Sequence, residues 1–259
     1  MRTRFRFAVP IAAAALALTA CTSTANDTGG EDINLITEGT LTICTNPPYE
    51  PFEYVEDGEV VGLDIDIVRE IADDLGVELA IKITPFDGIQ SGSDLNSNNC
   101  DLVASGITIT EERERNMDFS EPYFDADQGL LVPADSGLAS VEDLEGLRVG
   151  VQQATTGLEW AEEQGLTTVE FEDLGLQVQA LRNGTVDAVI NDIVVLGPYT
   201  DDELEIGTVF PTGEQYGFGV KTGNAALLSA VNATIARILT DGTYDEIYTK
   251  YIGTAPIEG

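Results

Sequence analysis

The sequence predicts an α/β protein of two lobes, each a mainly parallel sheet flanked by helices, with extended connections between them. Three observations carry that expectation. Short apolar strand segments alternate with helix-period segments from Thr40 onward. The same alternation resumes after Ser140, and an extended passage at Tyr123 to Val132 separates the two runs. Finally, 259 residues with 43% hydrophobic side chains suffice to bury a real core and argue against disorder.

In chain order, Leu41 to Cys44 reads as the first strand. Ile67, Val68, Ile71, Ala72 and Leu75 then trace one helical face that stops at Gly76. Leu79 to Ile83 and Leu102 to Ala104 are the next strands. Beyond the extended passage, Ser140 to Asp143 has the form of a capping box opening a helix. Arg148 to Val151 is a strand, Leu158 to Gln164 a helix and Val169 to Phe171 a strand. Leu176 to Asn183 is a helix stopped by Gly184, and Asp187 to Ile190 a strand. Ala225 to Thr240 is a long helix, and Thr243 to Glu246 caps a final short one.

The first twenty residues read as an address. Arg2, Arg4 and Arg6 precede an apolar run from Ala8 to Ala17, too short for a membrane span of about 20 residues. Leu18-Thr19-Ala20-Cys21 resembles the bacterial lipobox, whose cysteine is lipidated and becomes the mature N-terminus. Residues 1–20 are thus expected to be a lipoprotein signal peptide and 21–38 a flexible tether. Cleavage removes three positive charges and no negative one, so the net charge of −34 becomes −37. Cys44 and Cys100 then remain as an even pair in an oxidising compartment, either bridged or two buried thiols.

Forty-six acidic against 12 basic residues make a surface that repels phosphate backbones, which argues against nucleic-acid partners. With no histidine, the usual general base and the commonest zinc ligand are missing. No metal cluster, phosphate loop or acid–base pair is evident, and no cofactor is expected. In open α/β sheets, ligands bind beyond the carboxyl ends of strands. Four segments sit there: Asn46 to Phe52, Ser105 to Arg113, Gln152 to Gly157 and Asn191-Asp192. Each has a plain explanation as packing aromatics, a solvent-facing arginine or helix caps. Together they offer a guanidinium, a carboxylate, hydroxyls and helix N-termini, which complement a small zwitterion.

At this point a family resemblance emerges. NPPYEPFEYVEDGEVVGLDIDIVREIA (46–72) resembles the opening of the amino-acid-binding proteins of bacterial ABC importers, the extracellular solute-binding proteins of family 3. SGITITEERERNMDFSEPYF (105–124) is similar to that family's most specific signature, a Thr–Arg loop followed by Asp-Phe-Ser and Pro-Tyr. GVQQATTG (150–157), TVDAVINDI (185–193) and DGTYDEIYTKYIG (241–253) resemble three later blocks. The resemblance implies a type II periplasmic-binding fold. Lobe one would comprise 39–123 plus 217–259 and lobe two 129–211, with hinges at 124–128 and 212–216.

It also implies a set of ligand contacts. Arg113, helped by Thr108 and the Gly106 region, would hold an α-carboxylate, to which Thr155 and Thr156 add donors from the other lobe. Asp192 and Ser105 would accept from the α-ammonium, Tyr49 and Phe86 would sandwich the side-chain stem, and Asn46 would reach its distal end. Asn46 stands where relatives binding basic amino acids or glutamine often carry aspartate, so a cationic tip loses a counter-charge that Glu50 would have to supply. Gln152 stands where some relatives have lysine. These departures point to a polar, glutamine-like ligand. The implied protein is a non-enzymatic, monomeric, lipid-anchored receptor on the outer face of the cell membrane, partnered by an ABC permease. An exported dehydratase of the cyclohexadienyl or arogenate type, or a ligand-sensing receptor domain, is the alternative on the same fold.

Overall fold

The structure is a computed structural model and describes residues 33–253. The expected signal peptide, Cys21 and most of the tether lie outside the described residues.

The first sheet is built around β1 (Thr40–Thr45), whose alternate residues Leu41 and Ile43 are fully buried. It pairs in parallel with β4 (Glu78–Ile83) on one side and β5 (Leu102–Val103) on the other. Between β1 and β4 the chain makes a small hairpin, β2 (Tyr54–Glu56) and β3 (Glu59–Val61), and then α1 (Leu63–Leu75). Gly62 sets the start of α1: at φ 140 a Cβ would lie 2.0 Å from the Phe52 carbonyl oxygen, so only glycine fits. The helix ends as expected at Gly76, in the left-handed region. Its apolar stripe, including Ile67, Val68 and Ile71, is fully buried, each side chain contributing ~1.5–3 kcal/mol. Two short helices, α2 (Phe86–Gln90) and α3 (Ser93–Asn96), lead into β5.

Sheet one is completed by β6 (Met117–Phe119) and, after an excursion of about a hundred residues, β12 (Gly219–Lys221), giving the order β4-β1-β5-β12-β6. The excursion forms the second sheet, ordered β11-β7-β10-β8-β9. Its strands are β7 (Phe124–Pro133), β8 (Arg148–Gln152), β9 (Thr167–Phe171), β10 (Ala188–Asp192) and β11 (Leu204–Tyr216). Helices α4 (Thr156–Glu163) and α5 (Leu174–Arg182) link the parallel strands, and the short α6 (Ile193–Leu196) follows β10. Then α7 (Ala225–Asp241) and α8 (Thr243–Tyr251) pack back against α1.

Both sheets are mixed. The strands reached through helices pair in parallel, whereas β6, β7, β11 and β12, which carry the chain between sheets, pair antiparallel. Residues 124–128 and 212–216, expected as hinge crossings, are the paired ends of β7 and β11: Tyr216 faces Phe124 and Glu214 faces Ala126. Aromatic rings pack around this junction. Phe52 meets Phe124 edge-on at 4.8 Å and Tyr216 at 5.0 Å, while Tyr123 stacks on Phe218 at 4.4 Å.

Two local expectations differ from what forms. Ser140 and Asp143 do hydrogen-bond each other, but they open only a 3₁₀ turn, Glu142–Leu144, which Gly146 at φ 78 follows closely. The last helix is capped by Gly242, and Thr243 is its first helical residue. No helix among the described residues is long and apolar enough to cross a membrane.

Cys44 and Cys100 form a disulfide with Cα atoms 5.7 Å apart, closing a sequence separation of 56 residues. Both lie in a buried cluster with Phe86, Ile89, Leu95, Val103, Ile107 and Met117. Loop-closure entropy for such a separation is on the order of 4 kcal/mol, of which 2–4 is typically realised. Reduction is therefore expected to lower the unfolding free energy in urea by ~2–4 kcal/mol, read from midpoints with and without reductant. Coincident curves would show that the bridge does not constrain the unfolded chain.

Candidate functional site

The residues singled out from the sequence converge where the carboxyl ends of the two sheets face each other. Asn46 follows β1, Phe86 opens α2 just past β4, and Ser105 and Gly106 follow β5. From the second sheet, Gln152 ends β8, Thr155 caps α4 and Asp192 ends β10. Gly106, at φ 48, lets the Tyr49 ring lie close: an added Cβ would sit 2.7 Å from Tyr49 Cε1. The gap between the facing loops is narrow, a cavity of about 10 Å³, roughly the room of one water. Asn46, Tyr49, Glu53, Phe86 and Ser105 line one side, Gln152 and Thr155 the other. Wider grooves beside Tyr244 and beside Leu35 hold no buried charged side chain.

Arg113, the first residue of a 3₁₀ turn, is only 4% exposed and faces inward, away from solvent. Its Nη1 donates to the Thr108 carbonyl at 2.8 Å, its Nη2 to the Ala154 carbonyl at 3.2 Å, and its guanidinium lies 5.5 Å from the Phe86 ring centre. Ala154 adopts φ 62, a left-handed conformation uncommon for a residue with a side chain, and its carbonyl is thereby aimed across the interface. Among the described residues, no carboxylate comes within 4.0 Å of this guanidinium. Burial pulls the Arg113 pKa below its ordinary value, while Glu159 and Asp192 act against that.

Asp192 occupies the N-cap position of α6 yet makes no capping hydrogen bond. Its Oδ2 accepts from the Tyr49 hydroxyl at 2.7 Å and from the Tyr216 hydroxyl, and its Oδ1 from the Gln128 amide. Tyr49 also lies 2.9 Å from Asn191 Oδ1, so its single proton serves one acceptor at a time. Burial raises the Asp192 pKa to about 6; the Tyr216, Tyr49 and Gln128 hydrogen bonds oppose the rise and Glu214 adds to it. A carboxylate accepts about four hydrogen bonds. Three are taken here, and one acceptor position on Oδ1 stays open.

Side-chain amides tie the same walls together. Gln152 Nε2 donates to Asn46 Oδ1 at 3.3 Å, and Asn46 Nδ2 to the Thr84 carbonyl at 2.9 Å. Asn191 reaches Gln152 and the buried Gln177, which donates to the Gly150 and Ile190 carbonyls. Thr155 Oγ1 accepts from the Leu158 N–H and donates to the Gln152 carbonyl, so it is a helix cap at the rim of the cavity. Thr156 is buried as the first residue of α4, and Thr108 contributes its backbone carbonyl. The Ser105 hydroxyl is committed: it donates to Glu53 Oε1 at 2.7 Å and accepts from the Asn46 N–H.

Several site residues were not singled out from the sequence. Glu50, named as a substitute counter-charge, is exposed, and Glu53 lines the cavity with 0% exposure. Behind it lies a second fully buried acid, Asp64, accepting from the Gly106 N–H at 2.9 Å and the Tyr123 hydroxyl at 2.6 Å. Burial pushes both carboxyls up, and for Glu53 the neighbouring Asp64 adds to the rise. The available signal was an acid inside an aromatic run, Phe52-Glu53-Tyr54. Gln128 and Tyr216 gave none beyond their neighbours, whereas Asn191 lies in the segment already placed beyond a strand end.

Residues 41–254 match the family described as bacterial extracellular solute-binding proteins, family 3. A probable histidine-binding protein of Neisseria gonorrhoeae is 31% identical over 255 residues, covering 94% of each chain. The ABC transporter glutamine-binding protein GlnH of Bacillus subtilis (strain 168) is 36% identical over 208 residues, covering 78% of this chain and 76% of that one. Among solved structures, an ancestral arginine-binding protein bound to arginine superposes with a TM-score of 0.78 at 38% identity, over 83% of this chain and 99% of that one.

In the folded protein Asp192, Glu53 and Asp64 keep their protons to higher pH than in an unfolded chain, which releases them near pH 4. The folded state therefore binds more protons from about pH 4 up to at least about pH 7, and stability falls as pH rises through that window. The ligand-free protein is expected to be more stable to urea at pH 5 than at pH 7.5, by at least ~1 kcal/mol. Asp64→Asn should flatten that slope. A midpoint that climbs with pH would contradict the burial of these acids.

Proposed function

Since the chain belongs to the bacterial extracellular solute-binding proteins of family 3, we propose that it is an exported receptor that closes two lobes around a free amino acid and presents it to an ABC import permease. One observation carries this reading: the buried Arg113 guanidinium, bonded to two carbonyl oxygens and stacked on Phe86, with no carboxylate beside it. A buried cation left without an anion is costly, and an α-carboxylate supplies one in bidentate form. The open acceptor position on Asp192 suits an α-ammonium, and the α-helix beginning at Thr156 adds N–H donors to the carboxylate. Tyr49 and Phe86 then flank the ligand stem, with Asn46 and Gln152 further along the cavity.

In this reading lobe one is 39–123 plus 217–259, lobe two is 129–211, and the paired strand ends at 124–128 and 212–216 are the hinge. Arg113 and Tyr49 come from one lobe, Thr155 and Asp192 from the other. Only the closed form offers a ligand both sets, and that difference in affinity drives closure. Cys21 carries the lipid that holds the receptor, as a monomer, to the outer face of the membrane. Amino-acid-binding relatives across nearly the whole chain support a receptor over an exported dehydratase.

Thermal-shift screening against the common amino acids is expected to find at least one that stabilises, since a ligand at 100 times its Kd adds ~2.7 kcal/mol. By calorimetry, Arg113→Ala should weaken that ligand at least tenfold, ~1.4 kcal/mol. No shift with any amino acid, or unchanged affinity in the variant, would defeat the reading.

A further inference from the structure

Glu53 is a fully buried acid in the cavity wall with half of its carboxylate unused. Oε1 accepts from Ser105, whereas Oε2 is buried without a hydrogen-bond partner. The charge that acts on it is another acid, Asp64, and no cation of the described residues acts on either of the two. Buried carboxylates are normally paired or fully hydrogen-bonded. The charge count of the bound site makes the same point. A zwitterionic backbone satisfies Arg113 with its carboxylate and Asp192 with its ammonium, and the two acids on the Asn46 side are left with no cation opposite them, only the protons that burial retains. The Asn46 carboxamide oxygen nearby keeps an acceptor position as well: it takes one bond, from Gln152, while the amide nitrogen donates to the Thr84 carbonyl.

We propose that Glu53 receives the cationic tip of the ligand side chain, a guanidinium or alkylammonium, and so makes this a receptor for basic amino acids. The assignment rests on the amino-acid-receptor reading above and adds its substrate class. Glu53 takes the place of the counter-charge missing at Asn46. It reaches the cavity because the Tyr49–Glu53 turn, closed by the Tyr49 N–H to Glu53 carbonyl bond at 2.7 Å, turns its side chain inward and leaves Glu50 in solvent. Asn46 Oδ1 is a second acceptor on the same wall, which suits a tip with several N–H donors.

The test is calorimetry at pH 8 with arginine, lysine, glutamine and citrulline, the last being arginine's uncharged near-isostere. The wild-type protein should bind arginine or lysine at least tenfold more tightly than glutamine, and arginine at least tenfold more tightly than citrulline. In Glu53→Gln the basic ligand should lose at least tenfold, glutamine should change by less than threefold, and the arginine–citrulline gap should close. A wild-type preference for glutamine, equal affinity for arginine and citrulline, or an equal loss for all ligands in the variant would overturn the assignment. Should Glu53→Gln not fold, the wild-type citrulline comparison decides alone. Binding of neutral amino acids with arginine excluded defeats the Glu53 role and leaves the receptor reading standing. No binding of any amino acid defeats both.

Discussion

A guanidinium held inside the protein without an anion beside it is the constraint around which the rest of the structure is arranged. Arg113 keeps its charge in that position because two carbonyls and an aromatic face are fixed against it. Each support has its own foundation. Phe86 is set by the buried cluster that contains the Cys44–Cys100 bridge, so the disulfide stiffens the shelf on which the cation rests. The Ala154 carbonyl comes from the opposite sheet and depends on a backbone conformation that few alanines adopt. Packing, covalent bridging and local strain all act at one side chain.

Opposite it, the acids are graded by what surrounds them. Asp192 is reached by three donors, which hold its pKa near 6 against burial. Glu53 and Asp64 have fewer donors and each other for company, and they are displaced upward. Around the site the fold thus keeps one carboxylate ready to be charged at neutral pH and a pair that burial holds toward the neutral form. The overall acidic excess plays no part in this; most of it lies on exposed side chains such as Glu56, Asp57 and Glu111.

What the sequence conveyed was mostly local. The α1 stripe and its stop at Gly76 depend on residues within a few turns, and both are visible in the spacing of Ile67, Val68 and Ile71. Site positions such as Asn46, Gln152 and Asp192 were legible because strand ends can be located from apolar runs, and ligands gather beyond strand ends in this architecture. Contacts made across long separations were not. Nothing near Tyr49 announces that its hydroxyl meets an aspartate 143 residues later, nor that β12 slots between β5 and β6. The choice between Glu50 and Glu53 is the sharpest case. The two acids are three residues apart, and only the closed turn at Tyr49 decides which one is buried. The antiparallel strands within these mainly parallel sheets were not placed one by one for the same reason, since β6 and β7 meet partners, β12 and β11, that lie far along the chain.

The two connections between the sheets are laced to each other. Phe124 to Ala126 pairs with Glu214 to Tyr216, Asp127 accepts from the Thr212 and Gly213 N–H groups where the register shifts, and Gln215 bonds Asp125. Two separate tethers leave six ways for a pair of bodies to shift against each other. A hydrogen-bonded ribbon forbids sliding of one strand along the other and resists splaying, because either movement breaks the ladder. Bending across its width breaks no ladder bond. For the closure proposed above, such a ribbon would act as a strap hinge with a single direction of swing.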